Sequence, residues 1–302
     1  MRNIDLDELE ILRAVVTQGG VARAAQALHR VPSNVTTRIK QLEERLGVAL
    51  FSRHGRRLIP TMEGQLLLGY AERLLRLADE AESAVRSGQP LGVFRLGSLE
   101  STAGSRLPPI LSAYNRTYPE VRVELVTGTT GALITRLMRH DIEAALVSEP
   151  FTAPGLLSEA VFEEELVLIS GTGTRAIRSA SDVGRATLIA FANGCSYRKR
   201  LEDWLGDANI LPERVLEFGS YPAIVACVAA GTGLAIVPRS VLSALNATSE
   251  IRQHPLPAAI SRNRTHLLSH PGIESRALQG LRALLPVSPL AFDSNGHAVN
   301  ET

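Results

Sequence analysis

The side chains best placed to do chemistry in this 302-residue chain cluster near its start. Ser33, Asn34, Thr36, Thr37, Arg38 and Lys40 are interleaved with Val35, Ile39 and Leu42 at helical spacing. A helix opening near Pro32-Ser33 is therefore apolar on one face and carries hydroxyls, an amide and cations on the other. Short hydroxyls and amides beside basic groups suit the base edges of the DNA major groove, which is wide enough to admit a helix. Just upstream, Val21–Leu28 reads as a short Ala-rich helix in which Ala24 and Ala25 let a neighbour approach closely. Downstream, Gly47–Phe51 reads as the start of a strand, Arg53–Arg57 as a turn and Leu58–Pro60 as the return strand. On such a hairpin wing Arg53 and Arg56, together with Lys40, would touch phosphates and position the protein without reading bases.

A second set of polar residues recurs at junctions between a strand and a following helix. These are Ser98, Glu100, Ser101 and Thr102, then Thr129, then Ser196, then Tyr221. In parallel α/β sheets such junctions are the carboxyl ends of strands, where ligands bind. Helix N-termini there offer unpaired N–H groups and partial positive charge, which suits a carboxylate. Glu100 would meet an amine, so an amino acid or similar zwitterion is one expectation. The plainer alternative is that the hydroxyls only cap helices and that the cleft holds the protein's own side chains.

Cys195 lies near a helix start, where a thiol can become reactive. A thiol-based oxidant sensor is therefore an alternative, and it would need Cys195 to form a sulfenic acid or to pair with Cys227. Inert packing is the competing reading. The seven histidines are scattered with no ligand spacing, so no metal site is expected. No Gly-x-Ser-x-Gly elbow and no phosphate loop is present, and Gly231-Thr-Gly233 reads as a chain reversal, so neither an enzyme nor a cofactor is expected.

The elements that must position these groups follow from composition and periodicity. Hydrophobic residues make up 45% of the chain, enough to fill real cores, yet no apolar run reaches the roughly 20 residues that span a bilayer. The acidic, amphipathic start is unlike a signal peptide, which predicts a cytoplasmic protein. Residues 1–60 hold ten Lys/Arg and six Asp/Glu, so a head of +4 precedes a body of −3 in a chain of net +1. A basic head on a mildly acidic body fits a DNA-binding module joined to something else. Leu6–Val16 reads as a helix ended by Gly19-Gly20. Thr61 is a candidate N-cap for a helix in which Leu67, Tyr70, Leu74, Leu77, Ala81 and Ala84 form a heptad seam. That seam predicts a dimerising linker helix, broken at Ser87–Pro90; the alternative is a helix packed on its own domain. From Gly92 short strands and helices alternate, which predicts an α/β region with a mainly parallel sheet, large enough for two lobes.

The order of these parts resembles that of the LysR-type transcriptional regulators. The resemblance covers roughly residues 4 to 285. It rests on Ala24-Ala25-Gln-Ala-Leu28, Ile39-Lys-Gln-Leu-Glu-Glu-Arg-Leu-Gly47, Leu50-Phe-Ser-Arg53 and Val228-Ala-Ala-Gly-Thr-Gly-Leu-Ala-Ile-Val-Pro-Arg239. It implies an α+β multidomain protein: a winged helix-turn-helix over 1–60, a linker helix over 61–88 and an effector-binding domain over 89–285. That domain would resemble type 2 periplasmic-binding proteins, with lobe I at about 91–163 and 268–285 and lobe II at about 164–267. Residues 286–302 would form a frayed tail. The resemblance further implies a homodimer or homotetramer on double-stranded promoter DNA, a small-molecule effector between the lobes, and RNA polymerase as a candidate partner. Gly97–Thr102 and Gly194–Arg198 look like a branch that includes regulators of amine and amino-acid metabolism. The chain departs from many relatives at Val31-Pro32-Ser33, Thr37 and Gly20, so the base sequence it reads cannot be carried over. A solute-binding protein or an enzyme on the same two-lobed scaffold is the rival from another class.

Overall fold

In a computed structural model the described residues are 4–54, 57–86, 90, 92–247, 249–272 and 275–286. The chain divides into two compact units, Met1–Gln89 and Pro90–Thr302, each with its own apolar cores.

Unit 1 contains α1 (Leu6–Thr17), α2 (Val21–Ala27), α3 (Pro32–Leu46), the hairpin β1 (Phe51–His54) and β2 (Arg57–Pro60), and α4 (Met62–Arg86). The Asp5 carboxylate caps α1 by accepting the Asp7 N–H at 3.2 Å. Pro32 begins α3, where its missing N–H costs no helical bond. Val35, Ile39 and Leu42 turn inward, and Ala24 and Ala25 are buried against them and α1. Gly47, at φ +70°, ends α3 in the left-handed conformation.

The hairpin is placed differently from expectation. Glu43 Oε1 accepts the N–H of Leu50 at 2.7 Å and of Phe51 at 3.1 Å. This side-chain clamp satisfies backbone donors that a strand would need, so β1 starts at Phe51 instead of Gly47. Arg53 and Arg57, expected in the turn, lie in the strands, where the backbone of Arg53 pairs with Leu58 and that of Arg57 with His54. Arg56 and the side chain of Arg53 lie outside the described residues.

Thr61 donates its hydroxyl to Ala49 O at 2.8 Å and accepts the Gly64 N–H at 3.0 Å, which starts α4. A Cβ at Gly64 would sit 2.0 Å from Leu50 O, so only glycine lets α4 lie this close to the link before β1. Ala71 and Leu75, with the half-buried Leu67, join Leu9, Leu12, Leu42 and Leu50 in one cluster. Met62, Leu66, Tyr70, Leu74 and Leu77 form a separate exposed stripe on the same helix. The expected seam is thus corrected at its start. Leu67 belongs to the domain's own core, and Met62 and Leu66 take its place on the open face. The side chain of Ala84 and residues 87–89 lie outside the described residues.

Unit 2 runs β3 (Gly92–Ser98), α5 (Glu100–Ser105), α6 (Leu107–Thr117), β4 (Val121–Thr127), α7 (Thr130–Met138), β5 (Ala144–Ser148) and β6 (Leu157–Gly171). Then follow β7 (Thr187–Ala190), α8 (Ser196–Asp207), β8 (Arg214–Glu217), α9 (Tyr221–Ala229) and β9 (Ala235–Pro238). The last elements are α10 (Arg239–Leu245), β10 (Ile251–His254), α11 (Ala258–Ser261), β11 (Arg262–Ser269) and α12 (Arg276–Arg282). Residues 287–302, expected as a frayed tail, lie outside the described residues.

Two lobes share one seven-stranded sheet of order β10-β6-β11-β5-β3-β4, with β9 paired to β6. The first lobe packs Phe94, Leu96, Tyr114, Leu146 and Leu281. The second packs Leu166–Ile169, Leu201, Val228 and Val237. Strands β3, β4 and β5 are parallel, as are β7 and β8. However, β6 is antiparallel to β9, β10 and β11, and β11 is antiparallel to β5. The sheet is therefore mixed instead of mainly parallel. Its long members β6 and β11 carry the chain out to the second lobe and back, so they must oppose each other. The Gly231–Gly233 run turns α9 back toward the sheet. Gly231 is at φ +81°, and the Leu234 N–H donates to Thr187 O at 2.9 Å.

His254 is buried on β10, where Nδ1 accepts the Ile177 N–H at 3.0 Å and Nε2 lies 2.8 Å from Ser170 Oγ. Burial, reinforced by Arg252, holds this imidazole below its ordinary value of 6.5. The unfolded ring then binds a proton that the folded ring refuses, so its contribution to stability is full above 6.5 and is lost as pH falls toward the folded value. Carboxylates held low, such as Glu165 beside Arg239, lose theirs only in more acidic solution. The urea midpoint of the protein should fall between about pH 7 and 5. His254→Asn, which keeps an acceptor for Ile177, should flatten that fall.

Candidate functional site

Two regions gather the residues singled out by sequence, one in each unit. In unit 1, α3 leaves Ser33, Asn34, Thr37 and Lys40 exposed, while Thr36 is half-buried and donates its hydroxyl to Pro32 O at 3.0 Å. Arg38 is turned elsewhere. Its guanidinium lies 3.8 Å from both Asp7 and Glu8 on α1. Glu8 is only 2% exposed and also meets Arg45, while Asp7 takes a two-pronged contact from Arg30. Two acids of α1 thus brace the turn before α3 and two points along it. A nearly buried carboxylate between guanidiniums is stable only while both sides are present. The open face is left with hydroxyls, an amide and Lys40, and its geometry fits a groove rather than a catalytic pocket.

In unit 2 a cleft of about 410 Å³ lies between the lobes. Glu100, Ser101, Thr129, Ser196 and Tyr221 all line it, at the starts of α5, α7, α8 and α9. Ser98 and Thr102 do not. Ser98 is fully buried at the end of β3 and donates to Leu99 O at 3.0 Å, and Thr102 sits one position further round α5, inside the lobe. The sequence reading missed Phe191, Tyr197, Glu217 and Phe218 as lining residues. Phe191 and Glu217 stand at or beside the carboxyl ends of β7 and β8. The same strand-end rule would have found them had β8 been recognised.

The two lobes touch across this cleft at named points. The Tyr221 N–H donates to Glu100 Oε1 at 3.3 Å, and the Gly131 N–H reaches Gly194 O at 3.5 Å. Gly194 is at φ +92°, and a Cβ there would stand 3.0 Å from Thr129 Oγ1. Burial raises the Glu100 carboxyl above its ordinary range, an effect that the Tyr221 N–H only partly offsets. Arg198 is tied to Glu202, Glu217 and Phe191 O. Phe191 and Tyr221 form a tilted ring pair with centroids 4.8 Å apart. Burial also pushes the Cys195 thiol up, despite nearby backbone N–H groups and Arg198, which keeps it protonated near neutrality. His266 and His270 separate in space: the first faces Glu149 and Ser158, the second stacks on His140. Among the described residues no three His, Cys, Asp or Glu side chains come together as metal ligands do, and no helix is long and apolar enough to cross a membrane.

Comparison with known proteins covers both regions. Residues 6–65 match the bacterial regulatory helix-turn-helix protein, lysR family, and residues 87–286 match the LysR substrate binding domain. The chain is 38% identical over 255 residues to the HTH-type transcriptional regulator GltR of Bacillus subtilis (strain 168), covering 84% of this chain and 86% of that protein. It is 35% identical over 263 residues to the HTH-type transcriptional regulator SoxR of Arthrobacter sp. (strain TE1826), covering 87% and 89%. Among solved structures, a full-length point variant of OxyR from Pseudomonas aeruginosa aligns with a TM-score of 0.72 at 19% identity, over 94% of this chain and 95% of that one. Full-length CbnR complexed with its target DNA aligns with a TM-score of 0.67 at 22% identity, over 93% and 99%. At these identities the structures establish a shared fold.

Removing Glu8 should show how firmly α1 holds α3. Glu8→Ala takes the nearly buried partner from Arg38 and Arg45, whose guanidiniums are themselves about 40% exposed and can be rehydrated, and should lower unfolding free energy by about 1 kcal/mol. Denaturant titration of the protein and the variant gives the difference directly.

Proposed function

Because the chain belongs to the LysR family of bacterial transcriptional regulators, we propose that it binds promoter DNA through α3 and is switched by a small molecule held in the cleft of unit 2. The observation that carries the DNA half is the open face of α3, where Ser33, Asn34, Thr37 and Lys40 stand clear of the core. Asn34 and the hydroxyls read base edges. Lys40 touches phosphate, as do Arg53 and Arg56 on the wing. Arg38 reaches DNA only by leaving Asp7 and Glu8, so it contributes less than its position in the motif suggests. No step of this function calls for a catalytic group or a cofactor, and the proposed site of action is the cytoplasm.

The protein works as a homodimer or a higher oligomer. The exposed stripe on α4 is the reason: Met62 is 85% exposed and Leu66 64% exposed, and Tyr70, Leu74 and Leu77 continue the line. A second copy of the same helix is the occupant that matches a repeating apolar stripe. Two copies also place two α3 helices on the two half-sites of a dyad operator, on which RNA polymerase is the further partner.

The switch rests on the cleft between lobes. A ligand shifts the balance between two arrangements only by binding one of them better, and the residues lining this cleft come from both lobes. Its polar strand-end groups suit a carboxylate or an amino acid. An oxidant-sensing role for Cys195 is not favoured, since burial raises the thiol and disfavours the nucleophilic thiolate.

Fluorescence anisotropy on a fragment from upstream of the protein's own gene tests the DNA half. Lys40→Ala should weaken binding to all sequences alike and reduce the slope of log K against log salt by about one. Asn34→Ala should instead cost about tenfold in preference over unrelated DNA while keeping the slope. Failure of the wild-type protein to bind any duplex at low salt would sink the reading. For the dimer, Leu66→Glu with Leu74→Glu should halve the molar mass in analytical ultracentrifugation without loss of helical circular dichroism.

A further inference from the structure

The cleft of unit 2 is charged in one sense only. Among the described residues that line it, Glu100 and Glu217 are the ionisable carboxylates and there is no Lys, Arg or His. Glu217 is already answered, because Arg198 pairs with it from just behind the wall. Glu100 is not. Its one hydrogen bond among the described residues is from the Tyr221 N–H to Oε1, which leaves Oε2 without a hydrogen bond on a residue that lines the cleft. A half-buried carboxylate in that position loses hydration without gaining a counter-charge.

The remainder of the lining divides by chemistry. Phe191, Phe218 and Tyr221 make an aromatic wall, with Leu99 adding apolar surface. Aromatic faces attract cations as well as alkyl groups. Ser101, Ser196 and Tyr197 are 3%, 5% and 3% exposed; the Tyr197 and Ser101 hydroxyls lie toward each other, while Ser196 Oγ has no hydrogen-bond partner. Buried polar groups are rarely left so, and each unpaired one calls for a ligand or a water. Burial raises the Tyr197 phenol well above its ordinary range, so it stays a donor at neutral pH. A nearly buried Ser196 hydroxyl without a partner, at the start of α8 and on the lining of the cleft, points to an oxygen-bearing group on the occupant.

Resting on the reading of this cleft as the effector site, we propose that Glu100 selects the effector by binding a primary ammonium group, while Ser101, Ser196 and Tyr197 hold its oxygen-bearing end. The effector is then a small amine with a carboxylate or carbonyl a few bonds away and a short apolar body against the aromatic wall. A carboxylate that lacks an amine then binds more weakly, because its charge meets Glu100 with no cation to compensate it. The occupant supplies at Oε2 the cation that no side chain lining the cleft provides. Charge complementarity also explains why Glu100 sits where the Tyr221 N–H joins the lobes. An ammonium at Oε2 and the N–H at Oε1 use the two oxygens of one carboxylate, so filling the site reinforces the interlobe contact.

The test uses full-length protein with the twenty proteinogenic L-amino acids as probes in thermal-shift assays, followed by calorimetry on the best binder. Two relatives of that binder are then compared, one lacking the amine and one lacking the carboxylate. At least one amino acid should raise the melting temperature, and its des-amino relative should bind about 10- to 100-fold more weakly, the value of a hydrogen bond to a charged group. Glu100→Gln, which keeps size and hydrogen bonding but not charge, should lose affinity for the amino acid by a similar factor. Glu100→Asp, with the charge retained, should recover part of the loss. The proposal is overturned if the des-amino relative binds as well as the amino acid, if Glu100→Gln binds it undiminished, or if no amine in the set binds. Loss of DNA retention in the wild-type protein would count against the regulator reading and would leave these ligand outcomes to be judged separately.

Discussion

β6 and β11 pass through both lobes of unit 2 and are hydrogen-bonded to each other along the way, from Arg262 opposite Glu165 to Ser269 opposite Leu157. This two-stranded ribbon is what makes a cleft between lobes mechanically feasible. A ribbon resists stretching because each residue fixed in the ladder holds its partner. It twists more easily, most of all at a bulge, and the register here slips between Thr265 and His266. Opposite charges face each other on one side of the slip, Arg262 across from Glu165 and Arg264 across from Glu163. Within the ribbon, buried Glu164 of β6 takes Arg106 from α5's end of the first lobe and Ser240 from α10 of the second. The lobes are therefore tied at the back by main-chain and ionic bonds. Across the cleft they meet through Glu100 with Tyr221 and Gly131 with Gly194. A small molecule at the front competes with or supplements a few weak bonds, which is how a modest binding energy can bias two arrangements.

The helix-turn-helix of unit 1 obeys a different constraint. It has few residues to bury, so it relies on small side chains for close approach and on a nearly buried acid for registration. Ala24 and Ala25 bring α2 against its neighbours. Glu8 then fixes α1 against α3 through Arg38 and Arg45. Such pairs add little net stability over an apolar contact, yet they penalise any slip that strips one partner. The penalty holds the side chains of α3 in a fixed pattern. The same economy appears in α4, which serves the domain core with Ala71 and Leu75 and keeps a second, exposed apolar stripe.

Much of the fold was legible because it depends on local pattern. The inward face of α3, the small residues of α2 and the cap at Thr61 follow from residue type and helical spacing. The convergence of Glu100, Ser101, Thr129, Ser196 and Tyr221 was legible for a related reason. Each follows a strand and precedes a helix, and parallel strands carry such junctions to one edge. Ser98 and Thr102 share those segments but face inward, because a strand alternates its side chains and a helix turns by about a third of a circle per residue. Sequence position within a junction segment does not settle which way a side chain turns.

What the sequence determined by itself is therefore the identity of the elements, the faces they bury and the edge where polar groups collect, since these arise from neighbours a few residues apart. Only the tertiary structure decided the direction of β6 and β11, the pairing of Arg38 with α1, the inclusion of Leu67 in a core, and the arrival of Tyr197 and Phe218 in the cleft. Those outcomes depend on groups far away in the chain. A guanidinium goes to whichever acid the fold brings near, and a strand takes the direction its partners allow. No local periodicity carries that information.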